Sequence, residues 1–355
     1  MTVATSSVEE HPRALVLTDP RHEPPMRRSA LERLGLALIL DPRDLPFVKL
    51  MASYALVQLP LAVLLFVPGV FRWWLGLAYL ALNFAVFVDR LILMLHCTSH
   101  RPLFKPRFKA LNTFFVWVLG PLFGQAPEGY FAHHMGMHHP ENNLAHDLST
   151  TMPYQRDSFL HFLHYWGTFM LTILISLPRY LWQHGRRKLA ARLLVGELVF
   201  CAVSTAGIYF AFWPTIVVLV TPYIAVRFLM MWGNWGQHAF VDAKTPANWY
   251  TNSITCINSR YNRRCFNDGY HIGHHAKANR HWTDYPQELE DNREVYARED
   301  AILFEGIDFF SVSLFLFLKR HDWLADRYVD LGGYNRSKEE TVMFLKSRLR
   351  PIRFA

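Results

Sequence analysis

The hydrophobic positions of this chain fall into long runs rather than into alternation or narrow helical stripes. Leu50–Phe71 holds no charged residue, and Trp73–Leu95 follows with only Asp89 and Arg90 to break it. Each run is long enough to cross a hydrocarbon layer of about 30 Å as a helix. Their join, VPGVFRWW, supplies Pro, Gly and interfacial Trp, so the pair reads as a tight helical hairpin. Leu193–Trp232 is a second run of about twice one crossing. Its only charges are Glu197 and Arg227, and FWPT at 212–215 reads as the turn in its middle.

Two further runs, Leu111–Ala126 and Ser158–Pro178, are also uncharged. Arg101, Lys105, Arg107 and Lys109 precede the first; Arg179, Arg186, Arg187, Lys188 and Arg192 follow the second. Basic loops stay on the cytoplasmic side, so both clusters belong to one face and an even number of crossings separates them. With neither run spanning, His133–His139 stay on that face. With both spanning, these histidines would be carried to the other. The expectation is an all-α integral membrane fold of two transmembrane hairpins, or four spanning helices. Both intermediate runs lie in the interface or dip into it, and a cytoplasmic helical cap begins near Gly233. Ser29–Leu40 and IDFFSVSLFLFLKR (307–320) read as further interfacial helices. Residues 1–46 mix Arg, Glu and Pro, unlike a signal peptide. The expected division is a cytoplasmic tail (1–46), a membrane domain (47–290) and a C-terminal cap (291–355), with both termini cytoplasmic.

Composition narrows the class. Of 355 residues, 51% are hydrophobic and only 19% charged, which points to apolar surface facing lipid rather than to a larger soluble core. The net charge of +8 is spread in short clusters between apolar runs, so nucleic acid is not an expected partner. Cys97, Cys201, Cys256 and Cys265 are scattered with no CxxC, as in a reducing compartment.

The chemistry lies in the histidines, of which there are 18. HCTSH (His96, His100) ends the second run, and HHMGMHH supplies His134, His138 and His139 with His133 as a spare. NWGQH (Asn234, His238) ends the fourth run, and HIGHH supplies His271, His274 and His275. Spacings of three and four residues point side chains from one helical face, and the topology above brings all four groups to one membrane boundary. Isolated histidines are more often packing residues than ligands, and His161, His164, His184 and His321 are read that way. His11 and His22 are expected in solvent and His146 away from any metal. His133 and His281 stay open between ligand, support and surface. Imidazole suits Zn, Cu, Fe and Ni. Nine convergent histidines exceed the three or four ligands of one zinc and suit two metals. The Glu-x-x-His motif of soluble di-iron bundles is absent.

HCTSH, HHMGMHH and HIGHH, in this order and with these hairpins, resemble the three histidine boxes of the integral-membrane fatty acid desaturase and hydroxylase superfamily. NWGQH is similar to that superfamily's additional Asn-x-x-x-His element. The resemblance covers about residues 45–290, and the middle box departs from it by one extra residue between His134 and His138. It implies His96, His100, His134, His138, His139, His238, His271, His274 and His275 as ligands of two iron ions, with Asn234 contacting one iron directly or through water. It further implies O2 as co-substrate, an external electron donor such as a ferredoxin, and desaturation of a fatty acid or acyl chain in a bacterial inner membrane or its equivalent. Hydroxylation and oxidative decarboxylation to a terminal alkene are the alternatives.

Around these boxes, Asp89, Asn267 and Asp268 are candidates for orienting the imidazoles. Arg260, Arg263 and Arg264 are candidates for a substrate carboxylate or for donor docking. LNFAVFVDRLILMLH is expected to line a substrate tunnel. A metal transporter or a zinc-dependent lipid amidase are the readings from other classes.

Overall fold

The computed structural model describes residues 15–24 and 27–353; His11 and most of the expected tail's first half lie outside them. The described residues are mostly helical. Five helices are long and apolar enough to cross a membrane: Pro42–Phe66, Trp73–His100, Phe159–Gln183, Arg187–Phe210 and Phe212–Gln237. The first two form the expected hairpin, turning at Gly69 in the left-handed region (φ 80°). They are joined by buried polar contacts, Tyr54 Oη to Asn83 Oδ1 at 3.1 Å and Gln58 Nε2 to the Tyr79 carbonyl at 3.0 Å. The second hairpin turns within one residue, Ala211, because Gly207 leaves room for Thr215, whose Oγ1 would sit 2.5 Å from a Cβ there.

Five such helices differ from the four expected. The extra one is the Ser158–Pro178 run, which continues through Arg179 to Gln183 and is capped at its start by Ser158. Both of its ends meet elements that carry histidines. Phe162 packs on Trp235 (ring centroids 5.7 Å apart), while near the other end Tyr180 bonds Glu141 and Leu181 closes on Gly136.

The Leu111–Ala126 run forms a helix over 109–122 followed by a turn wedged between the hairpins. Gly124 (φ 87°) lies so close to the Pro222 carbonyl that a Cβ would come within 2.3 Å of its oxygen. Asn83 Nδ2 donates to the Leu122 carbonyl at 2.9 Å. Irregular backbone is tolerated among spanning helices only when its polar groups find such partners.

The cap is not purely helical. Thr255–Ile257 pairs in parallel with Leu303–Glu305, a pair of three-residue strands too short for any period to reveal. The expected division at 290 runs through this sheet's connection. Residues 15–24 also join the cap: Asn258 Oδ1 accepts from the Thr18 amide at 2.7 Å, and Tyr270 Oη donates to Asp19 at 2.6 Å. Ala30–Leu38 and Phe309–Phe317 are helices inside the two segments expected to be interfacial. The second packs on Phe212–Gln237, with the Phe309 carbonyl seated against Gly236.

Candidate metal centre

Four elements deliver the histidines. His96 and His100 occupy the last turn of Trp73–His100, and His238 follows directly on Phe212–Gln237. His271, His274 and His275 lie on the short helix His271–Ala276, and the middle box lies on the helical stretch over 129–141. The structure brings all nine together in two groups. His96, His100, His134, His139 and His274 form one, and His138, His238, His271 and His275 the other; within each group the candidate ligand atoms lie within 4.8 Å of one another.

The extra residue in the middle box has a structural counterpart. His134–His138 is a π-helical turn, closed by the His139 amide on the His134 carbonyl. The widened turn brings His134 and His139 into the same group, their Nε2 atoms 3.1 Å apart, and turns His138 to the other. His133 is left outside both. Its Nε2 meets Ser149 Oγ at 3.2 Å and its ring packs edge-on against Phe169.

Several rings are held from behind. His138 Nδ1 lies 2.7 Å from Asp147 Oδ2, His96 Nδ1 lies 3.1 Å from Asp268 Oδ1, and His238 Nδ1 lies 2.9 Å from the Asn252 carbonyl. Burial alone would raise the pKa of Asp147. His138 and the hydrogen bonds from His138 and Ser149 outweigh it and hold the carboxyl at about 2. A carboxylate or carbonyl accepts only, so these three imidazoles donate from Nδ1 and turn Nε2 inward. Burial, followed by the neighbouring imidazoles, lowers His134, His271, His274 and His275 well below the usual histidine range and His238 to about 4. All are neutral at physiological pH.

This packing tests whether a metal fits. In the first group the Nε2 atoms run in a chain: His100 to His134 at 2.9 Å, His134 to His139 at 3.1 Å, His139 to His274 at 2.9 Å, His274 to His96 at 2.9 Å. A ring nitrogen offers one in-plane site, either a proton or a lone pair. His134, His139 and His274 each meet two partners and cannot satisfy both. A central cation satisfies every lone pair at once, and neutral imidazole is the donor that divalent transition metals take. The second group repeats the pattern, with His271 Nε2 at 3.2 Å from His238 and 3.0 Å from His275.

A cavity of about 220 Å³ opens onto both groups, touching His96, His134, His138 and His271. Its wall is chiefly apolar and includes Phe84, Val88, Ile92 and Leu93 from the run expected to line a tunnel, with Phe169 and Leu177 opposite. Asn234 lines it too, its Nδ2 donating to Tyr165 Oη at 2.7 Å and to the Ser149 carbonyl at 3.1 Å.

Asn267 and Asp89 are placed differently from expectation, and the remaining histidines lie outside both groups. Asn267 turns away from the histidines and bonds the carbonyls of Pro20 and Trp282, fastening residues 15–24 to the cap. His281 is bonded to Asp44 (3.0 Å) and Thr283 (2.8 Å) and belongs to neither group. Asp89 pairs with Arg264 at the cavity's edge rather than orienting an imidazole. That pairing engages Arg264, while Arg260 and Arg263 stay exposed. His161 accepts from the Gln155 amide, His164 packs on Tyr154, His184 bonds the Tyr180 carbonyl and His321 bonds Asp157. His146 and His22 are exposed. The sequence reading missed Asp147, Asn252 and Tyr285, whose hydroxyl meets His274 Nδ1 at 3.1 Å. All three lie outside the boxes, at spacings set only by the fold.

Residues 29–306 match the family described as fatty acid desaturase. The chain belongs to the fatty acid desaturase family. No curated protein and no solved structure matches it. Family membership and the long apolar helices make this desaturase-family protein an integral membrane protein, and the family implies an oxidoreductase acting on lipid.

Proposed function

We propose that the two histidine groups hold two iron ions and that the protein is an O2-dependent oxidase of a fatty acid or acyl chain, with desaturation as its reaction. One observation carries this reading: both groups sit at the end of a cavity whose wall is chiefly apolar. The family is known for di-iron sites, and nine imidazoles supply four or five ligands to each of two ions with positions to spare. When bound, the irons supply O2 activation and removal of hydrogen from an unactivated C–H bond, using two electrons from a donor such as a ferredoxin. The chain's own residues do the rest. Asp147, Asp268 and the Asn252 carbonyl fix the tautomers of His138, His96 and His238. Val88, Ile92 and Phe169 exclude water and hold the acyl chain straight against the histidines. Asn234, anchored through Tyr165, presents its amide oxygen to the cavity as a further ligand or water-binding group.

The topology proposed with this reading keeps four spanning helices, both termini cytoplasmic, and Phe159–Gln183 along the cytoplasmic interface. Three faces of that helix support it. Phe162, Tyr165, Phe169, Ile173 and Leu177 are buried against the protein; Leu160 (74% exposed), Leu171 (85%) and Ile175 (75%) form an outer face that is apolar apart from His164; His161, Thr168, Thr172 and Arg179 form a polar stripe between them. An in-plane helix meets protein, lipid and water along its whole length, whereas a spanning one meets water at its ends.

Iron-loaded protein supplied with a reductase, a ferredoxin and either a medium-chain acid or its thioester tests the reaction. An internal olefin is the expected product. A hydroxy acid or a terminal alkene would assign hydroxylation or oxidative decarboxylation instead. One zinc per chain, retained in His96→Ala and His271→Ala, would overturn the di-iron reading in favour of an amidase or a transporter.

A further inference from the structure

Glu197 and Arg227, the two charges of the second hairpin's apolar run, meet inside the cavity. Arg227 Nη2 lies 2.7 Å from Glu197 Oε1, Tyr223 Oη donates to Glu197 Oε2 at 3.2 Å, and the guanidinium lies 4.0 Å above the Tyr223 ring. Their side chains are 11% and 10% exposed, and both residues line the cavity. Burying an ion pair among spanning helices carries a desolvation cost that helix packing does not require. The pair is also lopsided. Both carboxylate oxygens are engaged, whereas a guanidinium has five N–H donors and only one meets a protein acceptor among the described residues. The pair therefore leaves more N–H donors than acceptor sites unmet, about four against two.

Its position is close to the metal centre. Glu197 Oε1 lies against Gly129, where a Cβ would come within 3.0 Å. Gly129 precedes His134 by five residues of helix, about 7.5 Å along the axis. The cavity's wall includes Leu174 and Leu194, both apolar and exposed on the molecule's surface.

We propose that Arg227, held by Glu197 and Tyr223, receives the acyl oxygen of the substrate, either the carboxylate of a free fatty acid or the carbonyl of an ester. Anchoring there fixes the distance along the acyl chain at which its carbons come beside the histidine groups. Guanidinium binds such oxygens through directed N–H bonds in a site where water does not compete. The inference rests on the reading that this cavity takes an acyl chain.

Binding of dodecanoic acid, methyl dodecanoate and dodecane to metal-loaded protein in nanodiscs tests it. Arg227→Met alone would strand the Glu197 charge, so the informative variant is the double change R227M/E197Q, which removes both charges together. The acid should bind this variant about tenfold or more weakly than wild type, with metal content and dodecane binding unchanged. If the ester weakens in parallel, the receptor takes the carbonyl; if the acid alone weakens, it takes the carboxylate. Adding E197Q alone should tighten the acid, because the guanidinium loses its competing partner. Equal binding of all three probes to wild type, or of the acid to wild type and double variant, overturns the proposal. Arg227-dependent binding without turnover would refute the oxidase reading and leave the receptor standing. Turnover by R227M/E197Q with unchanged affinity and product position would do the reverse.

Discussion

Asp147 Oδ2 lies 2.7 Å from His138 Nδ1 and fixes which nitrogen of that ring faces the second histidine group. Asp147 is itself buried and braced by the Ser149 amide at 2.7 Å and hydroxyl at 2.6 Å. Asp147→Asn keeps the shape and removes the charge that favours Nδ1–H. Loss of such a partner costs about 10–100-fold in metal affinity. Metal analysis after dialysis against a chelator should show one of two ions retained in D147N, and full retention of both would show that the carboxylate is dispensable.

His133 and His134 are neighbours with opposite expected outcomes. The π turn aims His134 at His100 and His139 and leaves His133 on Ser149 and Phe169. His133→Ala should therefore keep its metal and lose only packing, while His134→Ala should lose metal from the first group. Equal metal loss in the two variants would contradict the register of this turn.

Acid should destabilise the metal-free protein in a defined window. Burial, followed by His138, holds His133 and His238 at about 4 in the fold, against about 6.5 in an unfolded chain. Between these values the unfolded state takes up protons that the folded state refuses, so stability falls as pH falls from about 6.5 towards 4. Below about 4 both states are protonated and this contribution stops changing. Melting curves of apo protein across that range should show the decline, and H133A should reduce its steepness.

Arg156 ties the C-terminus to the metal-bearing half of the chain. Its side chain is fully buried and donates to the carbonyls of Ala239 (2.7 Å), Met152 (3.0 Å), Arg348 (2.9 Å) and Arg350 (2.7 Å). Burial lowers its pKa to about 9, so it remains protonated at neutral pH. Arg156→Lys replaces a five-donor fork with three donors on one atom and should cost on the order of 2 kcal/mol or more. Truncation after residue 347 removes two of the same acceptors and should lower the melting temperature comparably. A truncated chain as stable as the full one would show that this knot is not needed.

The nine grouped histidines were legible because metal chemistry demands a residue type that is rare in apolar sequence, and because their spacings follow helical faces. The groups themselves were not. Which histidine shares a metal with which depends on the π turn at His134–His138; the extra residue of the middle box marks the turn, but the fold alone decides which rings it brings together. Asp268 was legible beside its box, whereas Asp147 and the Asn252 carbonyl reach their rings through loops. The parallel pairing of Cys256 with Phe304 joins segments 48 residues apart in three-residue strands, below the length at which alternation carries a signal. Asn267 misled for the converse reason: it stands next to Asp268 in the chain, yet at φ 54° its side chain leaves in another direction.

Placement of Phe159–Gln183 in the interface makes a prediction that separates it from a fifth crossing. Thr168 and Thr172 stand in the middle of this helix, about 14 Å and 17 Å from its first residue or its last along the axis. If the helix crossed the bilayer, both would sit deep in hydrocarbon and resist a charged maleimide. On an in-plane helix they share the polar stripe with His161 and Arg179, and both are exposed. Thr168→Cys and Thr172→Cys should label rapidly from the cytoplasmic side of intact membrane vesicles, above the background of the native cysteines. Leu171→Cys, one residue away but on the apolar outer face, should label slowly. Slow labelling at all three positions would make the helix a fifth span. It would then put an odd number of crossings between the basic clusters at 101–109 and 179–192, and the shared cytoplasmic face of the histidine boxes would have to be abandoned with it.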